Sequence, residues 1–107
     1  MELKELEYLK KCNTETDLIK LIQEIDDKVI FNGYNFEQML YLVNEIIRID
    51  LLSIKYETRE EILHFICDVI AHYGFLDGMK WECIIKIKDK LEDDLKEYIT
   101  EFMEPIL

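Results

Sequence analysis

The sequence predicts an all-α, single-domain antiparallel bundle of about five helices. Apolar residues recur every three to four positions in each long segment, which is the period of an amphipathic helix. Three glycines and one proline in 107 residues are too few for the many tight turns of a β-sandwich or barrel. Because the chain has neither a linker of biased composition nor an internal repeat, residues 1–107 are assigned to one domain.

The first two helices are predicted on either side of a short polar break at 13–16. Residues 2–12 place Leu3, Leu6 and Leu9 on one face of the first helix. Thr14 or Thr16 is expected to accept hydrogen bonds from the free backbone N–H groups at the start of the second helix. The second helix carries an apolar stripe at three- to four-residue spacing, formed by Leu18, Leu21, Ile22, Ile25 and Val29.

The third helix follows the clearest turn in the chain, Asn32-Gly33. An Asn-Gly pair can also mark a β-hairpin, but the flanking apolar residues have a helical period, so a helix-to-helix turn is favoured. Asn35 followed by Gln38 predicts a capping box. The helix then extends from 36 towards 51, and its apolar residues are Phe36, Met39, Leu40, Val43, Ile46 and Ile47.

The last two helices have their own start and stop signals. Thr58 and Glu61 predict a capping box for the fourth helix, and Gly74 is expected to end it as a left-handed C-cap. Asp77 is expected to cap a long last helix over 78–103, which Pro105 stops. At 1.5 Å per residue, its roughly 26 residues span about 39 Å.

The composition excludes several classes of function. The chain has 13 basic and 24 acidic residues, a net charge of −11, whereas nucleic-acid binders use Lys and Arg to neutralise phosphates. The same charge disfavours an anionic membrane surface, and no apolar run approaches the roughly 20 residues of a membrane span. The amino terminus lacks the pattern of a signal peptide. No two cysteines have CxxC spacing, so we expect a cytoplasmic protein with buried, reduced thiols at Cys12, Cys67 and Cys83.

Neither a metal site nor a catalytic site is predicted. Four potential ligands recur every four residues along the fourth helix, namely Glu60, His64, Asp68 and His72. They spread over about 18 Å of one helix, so one ion with bonds near 2 Å cannot gather them all. Ser53 is the only serine and lacks the glycine-flanked elbow of a nucleophile. We therefore expect no enzyme activity, no metal and no cofactor.

The carboxyl-terminal part of the chain carries a self-repelling acidic stripe. Residues 89–104 include seven acidic and two basic residues. Like charges four residues apart destabilise the helix that carries them, and this spacing is shared by Asp89, Asp93, Glu97 and Glu101. The stripe is either a solvated face that favours solubility or a docking surface for a basic protein partner.

The aromatic residues at 73–81 suggest where such a partner is anchored. Tyr73, Phe75 and Trp81 surround a loop with two glycines, and large aromatic side chains are typical anchors of protein interfaces. The alternative is that this loop is pinned to the core by its own aromatic residues. On the first interpretation, Phe75 and Trp81 bind the partner beside the acidic stripe.

The segments 73–77 and 89–94 resemble, in pattern, small acidic helical immunity proteins of contact-dependent and other polymorphic bacterial toxin systems. The resemblance implies a protein without catalytic residues that binds a cognate toxin domain, often a basic nuclease, and covers its active site. The alternative is an acidic nucleic-acid mimic, such as a phage inhibitor of a restriction or CRISPR effector. A mimic is expected to spread carboxylates over its surface, so the clustering at 89–104 favours the immunity protein.

Overall fold

The computed structural model describes residues 3–74 and 76–103, with side chains through residue 101. These residues contain no strand, which confirms the all-α prediction. None of the helices in the described ranges is long and apolar enough to cross a membrane. Two short 3₁₀ turns, Leu51–Ser53 and Lys88–Lys90, accompany six helices: α1 (Lys4–Lys11), α2 (Glu15–Ile30), α3 (Phe36–Ile47), α4 (Tyr56–Tyr73), α5 (Glu82–Ile85) and α6 (Asp93–Met103).

Helix α4 is the centre of the packing, because α2, α3 and α6 all pack against it. The apolar stripe predicted for the second helix is buried in full on α2. Burial of apolar side chains is the main force that holds helices together. Most of the fully enclosed side chains come from α2, α3, α4 and α6 and include Ile22, Ile25, Leu42, Val43, Ile62, Phe65, Ile66, Leu95 and Ile99.

Three of the predicted helix-end signals are confirmed. The Thr14 hydroxyl accepts a hydrogen bond from the Asp17 N–H at 3.1 Å and starts α2. Asn35 and Gln38 form both bonds of the capping box at the start of α3, at 2.8 and 3.0 Å. Gly74 ends α4 with φ of 75°, a conformation that favours glycine.

The Asn32-Gly33 turn connects two helices, as predicted. Asn32 has φ of 54°, and the Gly33 N–H donates to the Lys28 carbonyl oxygen at 2.7 Å. A Cβ atom on Gly33 would lie 3.1 Å from that same oxygen. The absence of a Cβ atom at Gly33 therefore favours the close approach of the chain to the end of α2.

The capping box predicted at Thr58 is wrong, because α4 already begins at Tyr56. Thr58 lies inside the first turn and is 1% exposed. Its hydroxyl donates to Glu15 Oε1 at 2.6 Å, and the same oxygen accepts from the Lys55 N–H at 2.8 Å. These two bonds lower the pKa of Glu15. The Glu15 carboxylate, at the start of α2, thus supplies a hydrogen-bond acceptor for the amino-terminal end of α4.

The single long helix predicted over 78–103 is also wrong. The chain forms the short helix α5, a 3₁₀ turn and then α6, and Leu91 between them is extended with φ of −89° and ψ of 160°. Asp77 lies in a turn, and Trp81 occupies the N-cap position of α5. A straight helix of about 39 Å would exceed the longest dimension of the molecule, which is 35 Å. The break instead folds α6 back against α4 and buries Leu91.

Candidate functional site

A cleft between α4 and α6 gathers acidic side chains from both helices. It has a volume of about 570 Å³ and is lined by Glu60, Asp94, Glu97, Tyr98 and Glu101; we call it the acidic cleft. Two fully buried residues of α6, Leu95 and Ile99, attach this helix to the core. The residues one or two positions away from them point in other directions and are consequently held at the rim of the cleft. The cleft therefore combines four carboxyl groups with one aromatic ring.

The carboxylates of the acidic cleft are not neutralised by ion pairs within the described chain. The basic residues next in sequence to Glu60 and Glu97 are used elsewhere: Arg59 pairs with Glu92 at 2.7 Å, and Lys96 pairs with Asp93 at 3.5 Å. Within the cleft, Asp94 accepts a hydrogen bond from the Tyr56 hydroxyl, which raises the pKa of Tyr56 to about 12. The cleft thus retains an excess of negative charge that is open to a positively charged group.

The four predicted stripe residues do not form one helical stripe, which corrects the prediction. Asp89 lies in the 3₁₀ turn before the break, whereas Asp93, Glu97 and Glu101 lie on α6. The side chain of Asp93 is fully exposed and does not line the cleft. Glu97 and Glu101 do line it. The helix break is the physical reason. Residues 89 and 93 lie on opposite sides of the break, so their four-residue spacing does not place them on one helix face.

The cleft contains two further carboxylates that the sequence analysis did not select, Glu60 and Asp94. Asp94 directly follows Asp93 on the same helix, but the four-residue spacing of the predicted stripe selected Asp93 instead of Asp94. Glu60 lies on α4 and reaches the cleft only because α4 and α6 pack together. No pattern within one segment of the sequence could have shown this.

The predicted aromatic anchor Trp81 is not brought to the acidic cleft. Trp81 is partly buried and packs against the core, and Phe75 lies outside the described residues. Asn44 of α3 fixes the loop by donating to the Gly78 carbonyl at 3.1 Å and accepting from the Lys80 N–H at 2.9 Å. The cleft lining comes from α4 and α6 alone. Trp81 therefore fits the alternative interpretation, in which the loop is pinned to the protein.

Among the residues whose side chains are described, the most exposed aromatic rings lie at another place, the turn between α2 and α3. Phe31 is 83% exposed and Phe36 is 66% exposed, although Phe36 was predicted to face the core. The Phe36 ring packs edge-on against Tyr73, with ring centroids 5.8 Å apart. The Tyr73 hydroxyl donates to the Tyr34 carbonyl at 2.8 Å and accepts from the Tyr34 N–H at 3.2 Å. Tyr73 of the aromatic segment is thus a structural residue that holds this turn.

Three metal-ligating side chains meet beside the acidic cleft and form what we call the His64 cluster: Asp26 of α2 with His64 and Asp68 of α4. The His64 Nδ1 atom lies 3.7 Å from Asp26 Oδ2 and 3.6 Å from Asp68 Oδ2. The His64 ring meets the Tyr98 ring edge-on at 6.4 Å, so the cluster adjoins the cleft. The ligands considered from the sequence all lie on one helix, and Asp26 was not among them because α2 contributes it by packing on α4.

Asp26 is the most perturbed acid of the cluster. Its side chain is 14% exposed, and its Oδ1 atom is buried without a hydrogen-bond partner. Burial raises the pKa of Asp26 to about 8, and the nearby Asp68 adds to this effect by hydrogen bonding and by its charge. A carboxylate pair in such a place requires a proton or a cation between its members.

The cysteines are free, and their surroundings differ. Cys67 is half-buried, its thiol donates to the Tyr98 carbonyl at 3.6 Å, and burial raises its pKa to about 12. Cys12 is likewise only partly buried and Cys83 is exposed, so the prediction that all three thiols are buried is wrong. A thiol with a raised pKa is a poor nucleophile, so Cys67 is better described as a packing residue.

The fold and the site define a small all-α protein with an acidic cleft and an adjoining His–Asp cluster. Comparisons with protein-family models, curated proteins and solved structures give no match.

Proposed function

We propose that this protein is an immunity protein, which binds a basic cognate toxin domain through the acidic cleft and covers the active site of that toxin. The observation that carries the proposal is the set of four carboxylates in the cleft, Glu60, Asp94, Glu97 and Glu101, without ion-pair partners in the described chain. Lysine and arginine side chains of a partner would supply the missing positive charge.

The cost of this arrangement supports a role in binding. Glu97 and Glu101 are four residues apart on α6, and such like-charged pairs destabilise a helix by about 0.2–0.5 kcal/mol. The Tyr98 ring between them offers apolar surface on which an arginine side chain can stack. Concentration of charge in one cleft favours a protein partner over a nucleic-acid mimic, in which carboxylates would follow the spacing of phosphates. A net charge of −11 would also accelerate encounter with a basic domain.

The proposal is tested with the toxin domain encoded by the gene directly upstream, where a toxin and its immunity gene are expected to be neighbours. Co-expression of the present chain should restore growth to cells that produce this domain, and the two purified proteins should form a complex. Glu97→Lys with Glu101→Lys should weaken both effects. If the upstream gene encodes no toxin, or if the wild-type chain neither protects nor binds, the proposal is wrong.

A matched control separates the cleft from the overall charge. Glu24 of α2 and Glu37 of α3 are exposed and lie outside the cleft lining. Glu24→Lys with Glu37→Lys changes the net charge by the same amount as the double reversal in the cleft. We expect this control to keep protection and binding. Equal loss in both double variants would show that the cleft has no special role.

A further inference from the structure

We propose that Asp26, His64 and Asp68 bind one Zn²⁺ ion in a site with three protein ligands. This site is independent of the proposed function, because it concerns the isolated chain and does not involve a partner. The donor atoms come from two helices that pack closely on each other, α2 and α4, so the backbone holds the donors in place.

The distances between donor atoms fit a tetrahedral metal site. The His64 Nδ1 atom lies 3.7 Å from Asp26 Oδ2 and 3.6 Å from Asp68 Oδ2. Zinc bonds to nitrogen and oxygen are about 2.0–2.2 Å long, so tetrahedral ligand atoms lie about 3.3–3.6 Å apart. The donor atoms of Asp26 and Asp68 lie within 4.8 Å of each other, so one ion can reach the three donors after rotations of the side chains.

The same distances are too long for ordinary hydrogen bonds. An N–H···O bond is normally about 2.7–3.2 Å long, so the His64 Nδ1 atom is not hydrogen-bonded to either carboxylate oxygen. His64 thus converges with the two carboxyl groups without being hydrogen-bonded to either, although Asp26 and Asp68 interact with each other. Asp26 Oδ1 provides a second sign of the same kind, because it is buried and has no hydrogen-bond partner. A cation placed among the groups would bind the three donors and would neutralise the charge of this buried carboxylate.

The donor set selects zinc among the common cations. One imidazole and two carboxylates suit Zn²⁺, whereas Ca²⁺ and Mg²⁺ are bound by oxygen atoms alone in most sites. Further carboxylates, Glu61 of α4 and Asp27 of α2, add negative charge near Asp26. The His64 side chain is 53% exposed, so an ion can enter from solvent, and the fourth ligand is then a water molecule.

The experiment uses the full chain, freed of metal by a chelator and then titrated with Zn²⁺ in a calorimeter. We expect one ion per chain, and saturating Zn²⁺ should raise the melting temperature by at least about 5 °C, because a ligand of the native state stabilises it. Co²⁺ bound in place of Zn²⁺ should give the visible absorption of a four-coordinate complex. Absence of one-to-one binding would overturn the proposal.

Variants identify the ligands. Asp26→Asn and His64→Gln should each weaken Zn²⁺ binding at least tenfold while leaving the helical circular dichroism spectrum unchanged. His72→Gln is the matched control, since His72 is an exposed histidine on α4 outside the cluster. Its affinity for Zn²⁺ should equal that of the wild type. Equal losses in His72→Gln, or unchanged binding in both ligand variants, would show that zinc binds elsewhere and would overturn the assignment.

Discussion

Replacing Asp26 by asparagine should stabilise the metal-free protein at neutral pH. Asp26 faces Asp68, Glu61 and His64 of α4 and lies next to Asp27 on α2. Its pKa is raised from 3.8 to about 8 in the folded protein, mainly by burial. Because the folded state holds this proton more tightly than the unfolded state, the contribution of Asp26 to stability is largest below pH 4 and is lost as the pH rises towards 8. Asparagine is neutral at every pH and avoids this loss.

The magnitude follows from the pKa and from the exposure of the cluster. From pH 3.8 to pH 7, the full effect of the raised pKa of Asp26 would be about 4 kcal/mol, at about 1.4 kcal/mol for each pH unit. The His64 side chain at the rim is half exposed, so solvent screens the charges. We therefore expect Asp26→Asn to raise the free energy of unfolding by about 1–2 kcal/mol at pH 7.

Urea unfolding in a chelating buffer at pH 4 and pH 7 measures this difference. The gain of Asp26→Asn over the wild type should be present at pH 7 and should nearly vanish at pH 4. Asp27→Asn is the control, because it removes the same charge from an exposed neighbour on α2 and should change stability by less than about 0.5 kcal/mol. Equal stability of Asp26→Asn and wild type at pH 7, or the same gain at both pH values, would refute the reasoning.

Three further predictions concern the fold. Leu95→Ala should lower the free energy of unfolding by about 3 kcal/mol in urea, because Leu95 is fully buried between α6 and α4; a loss below about 1 kcal/mol would contradict this packing. Tyr73→Phe should cost about 1–2 kcal/mol in the same assay, since it leaves the Tyr34 N–H and carbonyl without their partner, and an unchanged midpoint would contradict it. In hydrogen exchange, the amides of Asp93 and Asp94 should exchange much faster than that of Ile99, whereas a continuous helix would protect all three.

The first four helices could be predicted from the sequence because their signals are local. The Asn35–Gln38 capping box and the apolar stripe of α2 depend on residues three or four positions apart, and the structure confirms both. The start of α4 could not be predicted in this way. Its acceptor is Glu15, which lies about 40 residues earlier in the chain and reaches Thr58 only through tertiary packing.

The break before α6 shows why periodicity alone was insufficient. Leu91, Leu95 and Ile99 keep a four-residue spacing across the break, so the apolar pattern predicts a continuous helix. The signal that could have revealed the break is the run of acidic residues at 92–94, because acidic residues are favoured in the first turn of a helix. The Glu92 carbonyl indeed accepts from the N–H groups of Leu95 and Lys96 at the start of α6.

The candidate sites depend on contacts between helices and were only partly predictable. Glu97 and Glu101 were predicted to share one acidic surface and both line the cleft, but Glu60 joins them from α4. In the same way, His64 and Asp68 share one helix face, and Asp26 completes the cluster from α2. A single sequence contains no information on which helix faces meet.

The kinetics of association with the toxin domain encoded upstream test the central claim most directly. They are measured at low and high salt for the wild type, for Glu97→Lys with Glu101→Lys, and for the control Glu24→Lys with Glu37→Lys. If the acidic cleft guides the basic partner, the double reversal in the cleft should slow association at low salt by at least tenfold and flatten its dependence on salt, whereas the control should change it much less. Association that is equally fast in the wild type and the cleft variant would contradict the account.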